Sequence, residues 1–316
     1  DVMLMKCVRE AENEDIAKEI AMTSALETIT MLQFRYSENL RSPSDCAALV
    51  FIFKHLNHLK HFSVDAYDFE NIDCVFEIAK LLHHRCLETL EFTECRIYPV
   101  QEVLKHLLSA ITTSECRINH KHSKLVHFNL SKNQITDDDV SIFTAFLKNA
   151  RGVCLKNLNL SYNEITSVGI SRFCDVLGHE SCNKLEVLHI DRNYYIGDDG
   201  MRMLFKALKK TQHRLKELHL LFCTLTHECM PYLSKFLEYE KCRLTVLSLS
   251  NNNIGDAGAG MLFDALIVKK CSLTKLDLSK CSLTKRCMAS LGEVLGGEHC
   301  QLTNLNLEGN GIVDEG

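Results

Sequence analysis

The side chains that could support chemistry recur at matching places. His189 and His219 sit at the fifth position of the similar segments LEVLHIDRNYYI and LKELHLLFCTL, with Asp191 and Glu217 close by in sequence. If these segments lie as neighbouring strands about 4.8 Å apart, two imidazoles and two carboxylates form a conceivable zinc donor set. Fifteen histidines are spread over the chain, however, and an open sheet offers no enclosing outer shell. Solvated contact residues are therefore the preferred reading, and no metal site is assigned. The sixteen cysteines include no C-x-x-C pair, and many adjoin Leu or Val, as in Val153-Cys154-Leu155. Such thiols pack as small hydrophobes, which points to free cysteines in a reducing compartment. No G-x-S-x-G elbow and no G-x-x-x-x-G-K-[ST] phosphate loop occurs. Nothing in the chain is equipped for catalysis, and no cofactor is implied.

The elements that must position these residues follow from a repeat. LKNLNLSYNEI from Leu155 returns as LTVLSLSNNNI from Leu244 and LTNLNLEGNGI from Leu302, with LKELHLLFCTL from Leu215 and LTKLDLSKCSL from Leu273 between. Weaker copies start at Leu125 and Leu87, and the copy at Leu185 carries one extra residue. A degenerate copy starts at Leu59, and another is placed at Ile29. Apolar fourth and sixth positions are strand periodicity. The ninth position is Asn133, Asn163, Asn193, Cys223, Asn252, Cys281 or Asn310, where a side chain can bond the turning backbone. The exchange of Asn for Cys suggests two repeat subtypes.

A helix follows each strand. Thr136 and an acidic first turn open one with Val140, Phe143 and Leu147 on a single face, and Thr166, Asp256 and Thr284 open others. Pro231 lies inside the segment begun at Thr226, so that helix should start late. One strand and one helix cannot bury their own apolar faces, but stacked copies can. The expected fold is an α/β leucine-rich-repeat horseshoe, with a parallel sheet on the concave face and helices on the convex face. Residues 1–25 form a short helical segment and 26–316 a solenoid of about nine to ten repeats, the last one truncated. Its apolar end should make the isolated chain self-associate.

On each strand the third, fifth, seventh and eighth positions are expected to face the concave solvent side. Those columns supply Tyr162, His189, Asp191, Arg192, Glu217, His219, Leu221 and Phe222 as the candidate partner-binding face, with Leu221 and Phe222 apolar where polar residues are usual. A longer spacing before Leu125 holds Arg117, His120, Lys121, His122 and Lys124, read as a tolerated loop insertion. A net charge of -5 argues against a general grip on nucleic acid, and no apolar run is long enough to cross a bilayer. A cytoplasmic protein is expected.

Repeats near 29 residues with a full helix and the Asn/Cys exchange resemble the ribonuclease-inhibitor-like class of leucine-rich repeats. LMKCVREAENEDIAKEIA at 4–21 followed by SPSDCAALVFIF resembles the junction in NOD-like receptors where a helical region passes into the repeats. That resemblance implies a cytosolic innate-immune sensor whose repeats contact a protein or microbial ligand and restrain an upstream nucleotide-binding module. Two other readings stand beside it. One is a free-standing inhibitor or scaffold of the ribonuclease-inhibitor kind, although acidic residues here are offset by Lys132, Arg192, Lys275 and Lys280 and Trp is absent. The other is a Ran-type GTPase-activating repeat protein.

Overall fold

The computed structural model describes residues 13–23, 28–32, 43–56, 59–65, 72–83, 87–95, 100–112, 125–149, 153–211, 214–268, 271–298 and 300–312. The chain divides into two compact units, Asp1–Asn133 with Ala145–Leu155 and Gln134–Thr144 with Lys156–Gly316. The loop with His120 and His122 and the first helical residues, Leu4, Cys7 and Ala11 among them, lie outside the described residues.

In the first unit α1 (Glu14–Thr23) precedes β1 (Thr28–Leu32), α2 (Pro43–Phe53), β2 (His61–Asp65), α3 (Ile72–Ala79), β3 (Thr89–Thr93), α4 (Val100–Thr112) and β4 (His127–Asn129). The strands pair in sequence order and parallel. Ala17 of α1 packs on Ile52 of α2, and Glu14 holds Lys54 and His55 at 2.7 and 2.6 Å. The degenerate copies are real strands, with one correction. Ile29 pairs with Phe62, which is the fourth position of its own repeat, so the first repeat begins three residues before Ile29. A short apolar run containing Ile, Met and Leu at several spacings does not declare its own frame; strand pairing does.

Helix α5 (Asp137–Asn149) falls across the division. The second unit then runs β5 (Asn157–Asn159), α6 (Ser167–Cys174), β6 (Val187–His189), α7 (Gly197–Lys210), β7 (Glu217–His219), α8 (Met230–Leu237), β8 (Val246–Ser248), α9 (Gly255–Val268), β9 (Lys275–Asp277), α10 (Met288–Gly296) and β10 (Asn304–Asn306). Its strands also pair parallel and in order. The α/β leucine-rich-repeat architecture is therefore present, and Leu158, Leu188, Leu218, Leu247 and Leu276 stack as one fully buried column. As Pro231 requires, α8 starts late: a 3-10 turn over His227–Cys229 precedes it, leaving the proline in the first helical turn.

The ninth-position side chains tie each repeat to the one before. Asn252 Oδ1 accepts from the amides of Cys223 and Leu225, 3.0 Å each, while its Nδ2 donates to Leu220 O and Leu249 O at 2.7 and 2.8 Å. Asn310 makes the same four bonds one pair of repeats later. Cys223 and Cys281 donate their thiols to Ile190 O and Leu249 O at 3.4 and 3.2 Å, a weaker version of the donor half alone.

Two repeat types alternate in the second unit, and a second contact joins them. Long helices carry an aspartate in the first turn, and the next repeat opens its shorter helix with a threonine. Asp137 accepts from the amide and hydroxyl of Thr166, Asp198 from those of Thr226, and Asp256 from those of Thr284, all at 2.6–2.9 Å. Each threonine hydroxyl meanwhile accepts from the amide two residues on and so caps its own helix.

Candidate functional site

The candidate face lies where β5, β6 and β7 end. The eighth-position residues Tyr162, Arg192 and Phe222 have φ of 55°, 55° and 53°, in the left-handed region that non-glycine residues seldom occupy. Glu94, Lys132, Asn251 and Lys280 repeat this in their own repeats, and Gly309 is the sole glycine of the column. The turn that carries the ninth-position side chain inward imposes this conformation on whatever residue precedes it. In three consecutive repeats the conformation turns a large side chain outward.

Those three side chains stack. The Arg192 guanidinium lies 4.6 Å from the Tyr162 ring centroid and 4.6 Å from that of Phe222. Each such contact is worth ~0.5–1 kcal/mol at an exposed site, more once water leaves. Arg192 Nε is buried without a hydrogen-bond acceptor, so the two π faces and not a carboxylate hold the charge in place. Tyr194 packs on Phe222 at 6.0 Å, and the Thr224 hydroxyl donates to Tyr194 O at 2.6 Å. Tyr162, Tyr194 and Tyr195 are 43, 48 and 71% exposed, the largest aromatic surface among the described residues. Tyr194 and Tyr195 were not singled out in the sequence. The extra residue in LEVLHIDRNYYI was the available signal, since an insertion at a turn must bulge outward.

The histidines lie alongside. His189 and His219 are register partners whose rings stack at 4.1 Å and 16°. His189 Nδ1 is 3.6 Å from Asp191 Oδ2, and His219 Nε2 is 3.7 Å from Glu217 Oε2. Burial, with the neighbouring His189 second, pushes His219 below the usual histidine range, against the pull of Asp191 and Glu217. Donor atoms of His189, Asp191 and His219 lie within 4.8 Å of one another. Tetrahedral zinc needs nitrogens about 3.3 Å apart with converging lone pairs, whereas parallel rings aim theirs side by side. The pair is built as a stack, not as a pre-formed metal site.

The seventh position departs from the expected column. Ser161 and Ser250 are buried rather than facing solvent. Their short hydroxyls fold back on the backbone layer: Ser161 Oγ donates to Asn159 Oδ1 at 2.7 Å, and Ser250 Oγ meets Ser279 Oγ at 2.7 Å. Asp191, at that same position, turns partly inward and accepts from the Leu221 amide at 2.7 Å. Leu221 and Phe222 are both half-buried and share the apolar character of that strand end.

The cysteines are poor nucleophiles where they stand. Cys223, Cys229, Cys281 and Cys287 carry free thiols. Burial pushes Cys281 and Cys287 up to about 11, and drives Cys223 and Cys229 further in the same direction.

Comparison with known proteins now bears on this arrangement. The profile of the family described as Leucine Rich repeat matches residues 121–141, 153–174, 181–205 and 241–263. Human NACHT, LRR and PYD domains-containing protein 13 is 30% identical over 227 residues, covering 71% of this chain and 20% of its own length. Mouse NACHT, LRR and PYD domains-containing protein 9C is 31% identical over 185 residues, or 52% of this chain and 18% of its own. The chain is similar to the leucine-rich-repeat region of NOD-like receptors. The repeat region thus spans about a fifth of the length of the curated relatives it matches. Among solved structures, a TLR13–ssRNA13 complex aligns with 90% of the repeat region and 33% of its own chain, at 19% identity and a TM-score of 0.48, too loose a likeness to carry an argument. No helix among the described residues is long and apolar enough to cross a membrane.

Proposed function

We propose that the region is a non-catalytic module of a cytosolic innate-immune sensor, and that the ends of β5–β7 bind a protein or microbial ligand while restraining a nucleotide-binding module. The observation that carries this reading is the Tyr162–Arg192–Phe222 stack: a half-buried cation held between two rings, beside exposed tyrosines, has the make-up of an interface anchor. The related receptors are named for a NACHT and a PYD domain in addition to their repeats, which supports an upstream regulatory partner. Ligand at this face would act by shifting the population from a closed to an open receptor.

The test is a chimera in which this chain replaces the repeat region of the human relative. Arg192→Ala combined with Phe222→Ala should increase the oligomeric fraction in size exclusion and remove exchange protection from the strand ends of β5–β7. An unchanged oligomeric fraction and unchanged protection would sink the proposal. A Lys235→Ala chimera, altered on α8 away from the face, serves as the comparison.

A further inference from the structure

At the other end of the same strands, where the chain enters β6, β7 and β8, lies an open cleft of about 890 Å³. Lys184, Lys210, Arg214, Lys241 and Arg243 line it, against a single carboxylate, Glu240. Five positive charges against one negative is a local reversal of a chain whose net charge is -5.

The arrangement follows the repeat. Lys184, Arg214 and Arg243 each immediately precede the first leucine of their repeats, Leu185, Leu215 and Leu244. The repeats on either side have Cys154 and Ser272 at that place, and the last has Gln301. Lys124 also precedes a first leucine, Leu125, but Cys154 intervenes, so a run of consecutive repeats with a cation at that place occurs where the three repeats bound the cleft. Lysines in the last turn of a helix, as Lys209 and Lys210 are in α7, ordinarily complement the helix dipole. Lys184, Arg214, Lys241 and Arg243 lie outside any helix, so the dipole does not account for them.

All five cations are exposed, and among the described residues none makes an ion pair or a side-chain hydrogen bond. Lys216, close by, shows the contrast: it holds Glu186 at 2.8 Å. That bond, aided by the charges of Lys156 and Arg214, keeps Glu186 below the usual carboxylate range. Like charges left unpaired around one cavity repel one another, and a polyanion removes that repulsion.

We propose that this cleft binds a small, multiply phosphorylated molecule. A single phosphate is too small to engage cations contributed by three successive repeats, whereas several phosphates on one compact scaffold can meet them together. The two arginines supply planar forks suited to phosphate oxygens, and the three lysines supply point charges. A free inositol polyphosphate and a nucleoside triphosphate share this chemistry. The cleft lies at the opposite strand ends from the aromatic face, so the inference stands apart from the interaction proposed there.

Titration calorimetry on the 316-residue chain tests it, with inositol hexakisphosphate, ATP and inorganic phosphate as the probes. One-to-one binding of either polyphosphate is expected, with inorganic phosphate far weaker, and the preferred polyphosphate identifies the source. Arg214→Glu combined with Arg243→Glu should weaken that binding about a hundredfold, since each of the two lost charge-assisted contacts is worth roughly tenfold. Arg214→Lys with Arg243→Lys should keep most of the affinity, and Lys235→Glu should leave it unchanged. Far-UV circular dichroism verifies that each variant is folded. Binding no tighter than that of inorganic phosphate, or equal loss in Lys235→Glu, would overturn the proposal. So would a single-stranded RNA that displaces both polyphosphates at lower concentration, because the cleft would then be part of a nucleic-acid surface.

Discussion

Asn252 replaces water for four backbone groups that stacking buries, two amides and two carbonyls. Asn252→Ala should cost roughly 3 kcal/mol, because several of these groups lose their partners where water enters poorly. The urea midpoint should fall with no change in slope. That role was legible in the sequence, since a polar residue recurring eight residues after the first leucine has one place to go. The left-handed eighth position was not legible, because Tyr162, Arg192, Phe222 and Lys280 are not residue types that announce a positive φ. Lys280 gives the check: it is exposed, yet Lys280→Val should destabilise by about 1–2 kcal/mol while Lys280→Gly is tolerated. His219 makes stability depend on pH. Its folded-state affinity for a proton is depressed, so the unfolded chain binds more protons as pH falls. This contribution is fully present above the unfolded value of about 6.5 and is lost as pH drops below it. Unfolding midpoints at pH 5.5 and 7.5 should differ less in His219→Gln than in the parent.

At the scale of elements, neighbouring aspartates of α7 separate structural from decorative charge. Asp198 accepts from the amide and hydroxyl of Thr226 in the next repeat, whereas Asp199 is 71% exposed and pairs with Arg202 within its own helix. Asp198→Ala should cost about 2 kcal/mol, as expected for charged hydrogen bonds to partly buried groups. Asp199→Ala should change stability by less than about 0.5 kcal/mol. Chemical denaturation of the two variants decides this. The repeat spacing made the strands and helices readable, down to the late start imposed by Pro231. The Asp–Thr clasps were missed because their partners lie 28 or 29 residues apart and read, one repeat at a time, as ordinary first-turn and cap residues. The candidate face was legible as a column of positions, but its stacking order and the part played by Tyr194 depend on how the turns aim their side chains.

At the scale of the whole molecule, the last repeat differs from its predecessors in what covers it. Leu302, Leu305 and Leu307 are half-buried, while their counterparts Leu273, Leu276 and Leu278 are fully buried. An apolar column with one side uncovered favours contact with a second surface of its kind. The isolated chain should therefore self-associate as concentration rises, and Leu305→Glu should lower its apparent mass in light scattering. A monodisperse monomer at high concentration would contradict this.

The alternation of aspartate and threonine repeats also constrains how such a chain can change length in descent. Removing the repeat that begins at Leu244 would bring Thr284 next to the repeat of Thr226, with no carboxylate to receive it. Removing two together, the 58 residues from Leu215 to the residue before Leu273, restores Asp198 opposite Thr284. Within the alternating repeats, loss or gain by such pairs keeps each remaining threonine opposite an aspartate, and loss of a single one leaves a threonine or an aspartate without its partner. The heritable unit is the pair, so lineages carrying this alternation should differ by even numbers of repeats.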